Sequence, residues 1–390
     1  MDAIHPIIST LVISITFAFA FGFIASYAKL PAIVGYIFAG IFLSPNTPGL
    51  IADVEITKQL AEIGIILLLF DVGLHLTIDD LLRVKKIAII GALTQMGITA
   101  ILSLWLIHFL GFELIEAIIF GLSIAVASTI FLIKQFDQYH LKSSETAKIA
   151  FGWLVFEDIV MIFILVLLPV LVEINQKNLS IDLKEILQIL FEVMLKIVLF
   201  IIAMITIAKK ILPIFMMEIY KQRSMELISL AVLAVATGFA FIAHIFFNAS
   251  FALGAFLAGF VLNKSLIGRK IVKKTIPLRD IFSVLFFISV GLLFDPKIIF
   301  NQPLLILIAL FLIVVVKFLI SFAIMRFFNK NIQESILLSV GLAQIGEFSF
   351  VLIALGNKMN VLSQDLYDVI ICSSIICIII NTFLFRIIKK

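Results

Sequence analysis

Residues 33–43 read IVGYIFAGIFL, and residues 252–262 return to the same pattern as ALGAFLAGFVL, with Gly35, Ala39 and Gly40 matched by Gly254, Ala258 and Gly259. The correspondence continues in order along the chain. LLLFDVGL at 67–74 is answered by LFFISVGL at 285–292, and GLSIAVAST at 121–129 by GLAQIGEFS at 341–349. Gly35 and Gly73 are separated by 38 residues, Gly254 and Gly291 by 37. Single small-residue motifs recur by chance in membrane helices, where they let backbones approach. Three ordered matches at nearly constant separation read instead as an internal repeat.

The repeat is written in membrane-spanning helices. Of 390 residues, 63% are hydrophobic and 14% charged, with a mean hydropathy of +1.24; a soluble domain carries about 25% charged residues. Apolar runs long enough to cross roughly 30 Å of hydrocarbon as helices recur from end to end, without the alternation of a membrane β-barrel. Thirteen spans are expected near 6–26, 31–45, 57–76, 84–110, 113–135, 145–173, 183–212, 224–247, 249–263, 279–294, 302–328, 332–357 and 365–388. The second and ninth are short, and the seventh is a long connector. Spans 1–6 match spans 8–13, so the halves enter the membrane from opposite sides. The fold class is therefore an all-α polytopic membrane protein of two inverted-topology six-helix repeats with crossed broken helices. It forms one transmembrane domain over 1–388: repeat one at 6–173, linker helix 183–212, repeat two at 224–388.

Charge supports this arrangement. Twenty-two Lys and Arg residues fall in the loops after spans 1, 3, 5, 7, 9 and 11 and in the tail, against five on the other side. The split places the C-terminus in the cytoplasm and the N-terminus outside. The net charge of +4 is accounted for by topology and lipid headgroups, with no nucleic-acid partner. The basic run Arg269–Lys274 reads as a topogenic loop facing lipid or a cytoplasmic regulator. Cys372 and Cys377 read as small core residues, and no signal peptide is read at the N-terminus. No phosphate loop, cofactor motif or nucleophile–base constellation is present, which argues against an enzyme.

Polar residues inside the spans mark the site. Span 6 carries GWLVFEDIVMIFIL at 152–165, with Glu157 and Asp158 at its middle. Each carboxylate at that depth costs at least ~3 kcal/mol. Desolvation and mutual repulsion penalise the doubly ionised pair, which therefore holds a proton or a cation and resists being empty. That competition is the chemistry of antiport. Span 11, IVVVKFLIS at 313–321, places Lys317 at its centre; Glu157 or Asp158 is the expected ion-pair partner, with Glu347 the alternative. Spans 5 and 12 are the expected interruptions. Ser123, Ser128 and Thr129 in one, and Gln344, Gly346, Glu347 and Ser349 in the other, weaken the helix and supply oxygen ligands. Asp71 and His75 lie one turn apart on span 3 and line a water funnel or sit at the interface; Gln95 is placed to hydrogen-bond a broken helix.

With GYIFAG, FEDIVM, VVVKF, LFFISVG and QIGEFSFV in place, the whole of residues 1–388 resembles the second branch of the monovalent cation:proton antiporters, in particular the Kef-type, YbaL-like potassium:proton group. The resemblance implies that Asp158 binds ion and proton, that Glu157 pairs with Lys317, and that the transported ion is K+ or Na+ with no cofactor. It also implies a homodimer in a bacterial inner membrane, a core of spans 3–6 and 10–13, a dimerisation part of spans 1, 2, 8 and 9, and elevator-type alternating access. Kef-type proteins usually continue into a cytoplasmic nucleotide-binding domain, and 1–390 contains none, so such a regulatory domain or subunit is an implied partner outside this chain. Some members have Gln where Glu157 stands, which leaves stoichiometry open. The rival reading is a gated potassium efflux pathway without proton coupling; the sequence has no TVGYG-like filter to support it.

Overall fold

A computed structural model describes residues 6–28, 30–48, 52–75, 85–141, 144–176, 209–247, 251–263 and 280–388, with isolated positions between 191 and 206. The described residues form helices and short connections, with no strand among them. In hydrocarbon a spanning segment must satisfy every backbone N–H and C=O internally, and the helix does so. Among the described residues, seven helical stretches are long and apolar enough to cross a membrane, including Ile7–Tyr27, Met225–Phe247 and Gln364–Ile388. Most of the expected linker helix at 183–212, the Arg269–Lys274 loop and the side chain of His75 lie outside the described residues.

In chain order the helices are α1 (Pro6–Tyr27), α2 (Ala32–Phe42), α3 (Val54–His75), α4 (Lys85–Phe109), α5 (Leu114–Ala125), α6 (Thr129–Gln138), α7 (Glu145–Gln176), α8 (Lys209–Lys221), α9 (Met225–Phe247), α10 (Phe251–Asn263), α11 (Asp280–Leu292), α12 (Pro303–Phe327), α13 (Ile332–Leu342), α14 (Glu347–Lys358) and α15 (Gln364–Ile388). Their ends follow local rules. Asn331 caps α13 through Oδ1, which accepts from Glu334 N at 2.7 Å. Glu113 and Glu116 form a capping box at the start of α5. Asn329 and Asn360 take left-handed φ values of 57° and 55° just after α12 and α14, a common way to end a helix.

The chain divides into two compact units. The first comprises residues 1–18, 51–77 and 162–289; the second comprises 19–50, 78–161 and 290–390. In the first, α3 and α10 cross on glycine. A Cβ at Gly73 would lie 2.1 Å from Phe256 O, and one at Gly259 would lie 2.0 Å from Phe70 O. In the second, Gly291 meets Ile37 O in the same way at 2.2 Å. The small residues of the repeated motifs are therefore contact points between backbones. The resemblance implied a different grouping, since α3 and α11 were expected with the core helices; here α3 and most of α11 belong with α9 and α10.

The second unit holds the two interrupted spans. Val126–Ser128 separates α5 from α6, and Ala343–Gly346 separates α13 from α14. Around them pack Ala88 and Ala92 of α4, Leu132 and Phe136 of α6, Trp153 and Leu154 of α7, Leu338 of α13 and Phe385 of α15, all fully buried. The span formed by α13 and α14 is almost wholly enclosed by protein. That enclosure is the condition under which irregular backbone is tolerated at membrane depth.

Candidate functional site

The two interruptions touch each other. Gly346 N donates to Val126 O at 3.1 Å, Gln344 Nε2 donates to Ser128 O at 3.2 Å, and Ser349 Oγ donates to Ser123 O. A Cβ at Gly346 would sit 2.6 Å from Ala127 O and 2.8 Å from Ala127 C, so at this crossing backbone packs on backbone. Breaking a helix orphans backbone groups at each new end, and side chains of the second unit take them up. Gln95 Nε2, from α4, donates to Ala125 O at the end of α5 at 3.0 Å. Ser128 Oγ accepts from Phe131 N at 3.1 Å and so caps α6. Asn381 Nδ2, from α15, donates to Val340 O and Ala343 O at the end of α13.

Charges follow the same logic. Lys317 is fully buried, and its Nζ donates to Gln344 O at 2.8 Å, just past the negative end of α13. A π-helical segment, Phe311–Val316, immediately precedes it within α12 and resets the helical register at that point. Glu347 is the first residue of α14, at that helix's positive end. The direct ion pair expected between Lys317 and the dyad is not found among the described residues. Lys317 and Glu157 act on each other through space, and the ammonium's hydrogen bond goes to the freed carbonyl instead. A carbonyl orphaned at a broken helix end competes well for a buried donor, since leaving it unmade costs about 1–3 kcal/mol.

The neighbouring carboxylates of α7 stand in different surroundings. Glu157 is 0% exposed, and both its oxygens are engaged: Oε2 accepts from Ala127 N at 2.9 Å, and Oε1 from Trp153 Nε1 at 3.0 Å. Asp158, 7% exposed, accepts from Thr129 Oγ1 at 3.1 Å through Oδ2, while its buried Oδ1 has no hydrogen-bond partner among the described residues. One carboxylate is thus tied into the crossing and the other keeps an oxygen available at it. Glu347 Oε2 accepts from Ser128 Oγ at 2.9 Å.

Of the residues singled out from sequence, Glu157, Asp158, Ser123, Ser128, Thr129, Lys317, Gln344, Gly346, Glu347, Ser349 and Gln95 are brought together around this crossing. Asp71 is buried on α3 in the first unit. Two contributors escaped the sequence reading. Trp153 lies one turn before Glu157, a spacing that could have revealed it. Asn381 is a lone amide in an apolar run and was equally visible.

Comparison with known proteins places the chain among transporters. The profile of the sodium/hydrogen exchanger transmembrane family matches residues 11–390. The chain is 39% identical to the putative cation/proton antiporter YbaL of Escherichia coli (strain K12), over 99% of this chain and 69% of that protein. It is 28% identical to K(+) efflux antiporter 5 of Arabidopsis thaliana, over 98% of this chain and 67% of that one. In structure it is similar to the sodium proton antiporter MjNhaP1 of Methanocaldococcus jannaschii, with a TM-score of 0.71, 17% identity, and coverage of 98% and 97% of the two chains. At that identity the likeness concerns the fold alone.

Proposed function

The chain belongs to the sodium/hydrogen exchanger family, and from that premise we propose that it exchanges a monovalent cation, K+ or Na+, for protons at Asp158. It is an integral membrane transporter and not an enzyme. The observation that carries the reading is Asp158 Oδ1, a buried carboxylate oxygen without a hydrogen-bond partner among the described residues, beside the Thr129 hydroxyl and two broken helices. A lone ionised oxygen in that position is stabilised by a proton or by a cation, and the two exclude each other. Thr129 and Ser128, with carbonyls of the crossing, are the oxygens available to complete a dehydrated cation's shell.

The wider arrangement belongs to the same proposal. Twelve of thirteen spanning helices form two inverted repeats, 6–173 and 224–388, joined by the thirteenth, a linker helix at 183–212. The site is exposed alternately to each side by elevator-like movement of the helices that carry it. The protein works as a homodimer in a bacterial inner membrane, with its C-terminus in the cytoplasm. The chain's similarity to proteins named as K+ efflux antiporters favours K+ as the first cation to test.

The test is cation-driven proton movement in proteoliposomes, comparing wild type with Asp158→Asn while Na+ and K+ are varied. The expected result is proton flux driven by one of the cations in wild type and none in Asp158→Asn. Cation flux without protons, or a variant equal to wild type, would refute the proposal.

A further inference from the structure

The interruption between α5 and α6 presents two consecutive hydroxyls, and each holds a different carboxylate. Ser128 Oγ donates to Glu347 Oε2 at 2.9 Å, and Thr129 Oγ1 donates to Asp158 Oδ2 at 3.1 Å. Consecutive Cα atoms are about 3.8 Å apart, so the two acids are tethered to adjacent points of one backbone, and their charges act on one another. Both are buried, each 7% exposed. They come from different helices, Asp158 from the unbroken α7 and Glu347 from the first turn of α14. The pair therefore straddles the crossing. Glu157, although next to Asp158 in sequence, has both oxygens committed, one to the Ala127 backbone and one to the Trp153 ring.

We propose that the proton-exchanging pair is Asp158 with Glu347, joined across the broken helices, while Glu157 is a fixed charge that seats the interruption. This rests on the antiport reading and deepens it: a proton lost from the pair is replaced by one monovalent cation shared between the two carboxylates. Of the other ionisable groups, Glu157 on α7 acts on Asp158, and Lys317 on α12 acts in turn on Glu157 and on Cys377 of α15. The stretch of α5 at the crossing, Phe120–Ala125, brings a hydroxyl but no ionisable side chain.

The pH dependence of exchange and the cation KM separate this pair from the Glu157–Asp158 dyad. Reconstituted wild type is compared with Glu347→Gln, Glu347→Asp and Asp158→Asn. Removing the Glu347 charge relieves the repulsion that favours a proton on Asp158, so the half-maximal pH of exchange falls by roughly one unit. The cation KM rises because one of its two carboxylates is gone. Glu347→Asp restores both values toward wild type. If Glu347→Gln keeps the wild-type midpoint and KM while Asp158→Asn is inactive, antiport at Asp158 stands and the pair proposed here is wrong. An active Asp158→Asn would instead overturn the antiport reading itself. Should Glu347→Gln not purify as a folded protein, Ser128→Ala provides the test. Losing the hydroxyl that stabilises ionised Glu347 moves the midpoint to higher pH, and an unchanged midpoint contradicts the proposal.

Discussion

Two adjacent acids on one helix can share a depth in the membrane and differ in every partner. Glu157 accepts a backbone N–H and an indole N–H, both hydrogen bonds to a charged group, so its loss is a structural event. Glu157→Gln turns one acceptor into a donor that faces another donor. It is expected to destabilise the protein by about 1–3 kcal/mol, seen as a lower midpoint of thermal unfolding in detergent. Asp158→Asn, whose partner is a rotatable hydroxyl, should unfold within a few degrees of wild type while losing exchange. A Glu157→Gln protein as stable as wild type would contradict the division of roles. The sequence made both acids visible, because a carboxylate at the centre of an apolar run is costly enough to be rare and marks a site by default. It could not separate them, since their difference lies in which backbone lies across the helix: Ala127 N approaches one acid and Thr129 Oγ1 the other. Neither contact follows from spacing along α7.

At the scale of elements, the interrupted spans were legible in part. Ser123–Thr129 and Gln344–Ser349 announced themselves by polarity and glycine content, and the helices do break at Val126–Ser128 and Ala343–Gly346. What holds the free ends was harder to read, because the caps come from other helices: Gln95 from α4, Lys317 from α12 and Asn381 from α15. The π-helical segment before Lys317 left no sequence signal, as FLIVVV is an ordinary apolar run. The crossing itself depends on Gly346. Gly346→Ala places a methyl against the Ala127 carbonyl, a rigid backbone neighbour, and should abolish exchange and lower the unfolding midpoint. Gly97→Ala, where nothing lies within 4 Å of the added carbon, is the matched control and should be neutral or slightly stabilising. Equal effects from the two substitutions would show that the close approach at Gly346 does not matter.

For the whole molecule, the all-helical class was legible because the long apolar runs coincide with helices among the described residues, two of them interrupted, while most of 183–212 lies outside those residues. The grouping of helices was not legible, since it depends on which glycine faces which backbone, as at Gly73 and Gly259. The 22-to-5 distribution of basic residues carries its own prediction. A reporter that folds only in the cytoplasm should be active when fused after Lys390, and activity of a reporter specific for the opposite side would reverse the proposed topology. Competition between proton and cation for one carboxylate site at the crossing of the broken helices is tested by the cation KM of the reconstituted protein, measured as a function of pH with saturating rates recorded at each point. Competition predicts that KM rises about tenfold per unit fall in pH below the site's titration, while the saturated rate changes little. A KM independent of pH, with the saturated rate alone falling in acid, would mean that protons act elsewhere and would contradict the account.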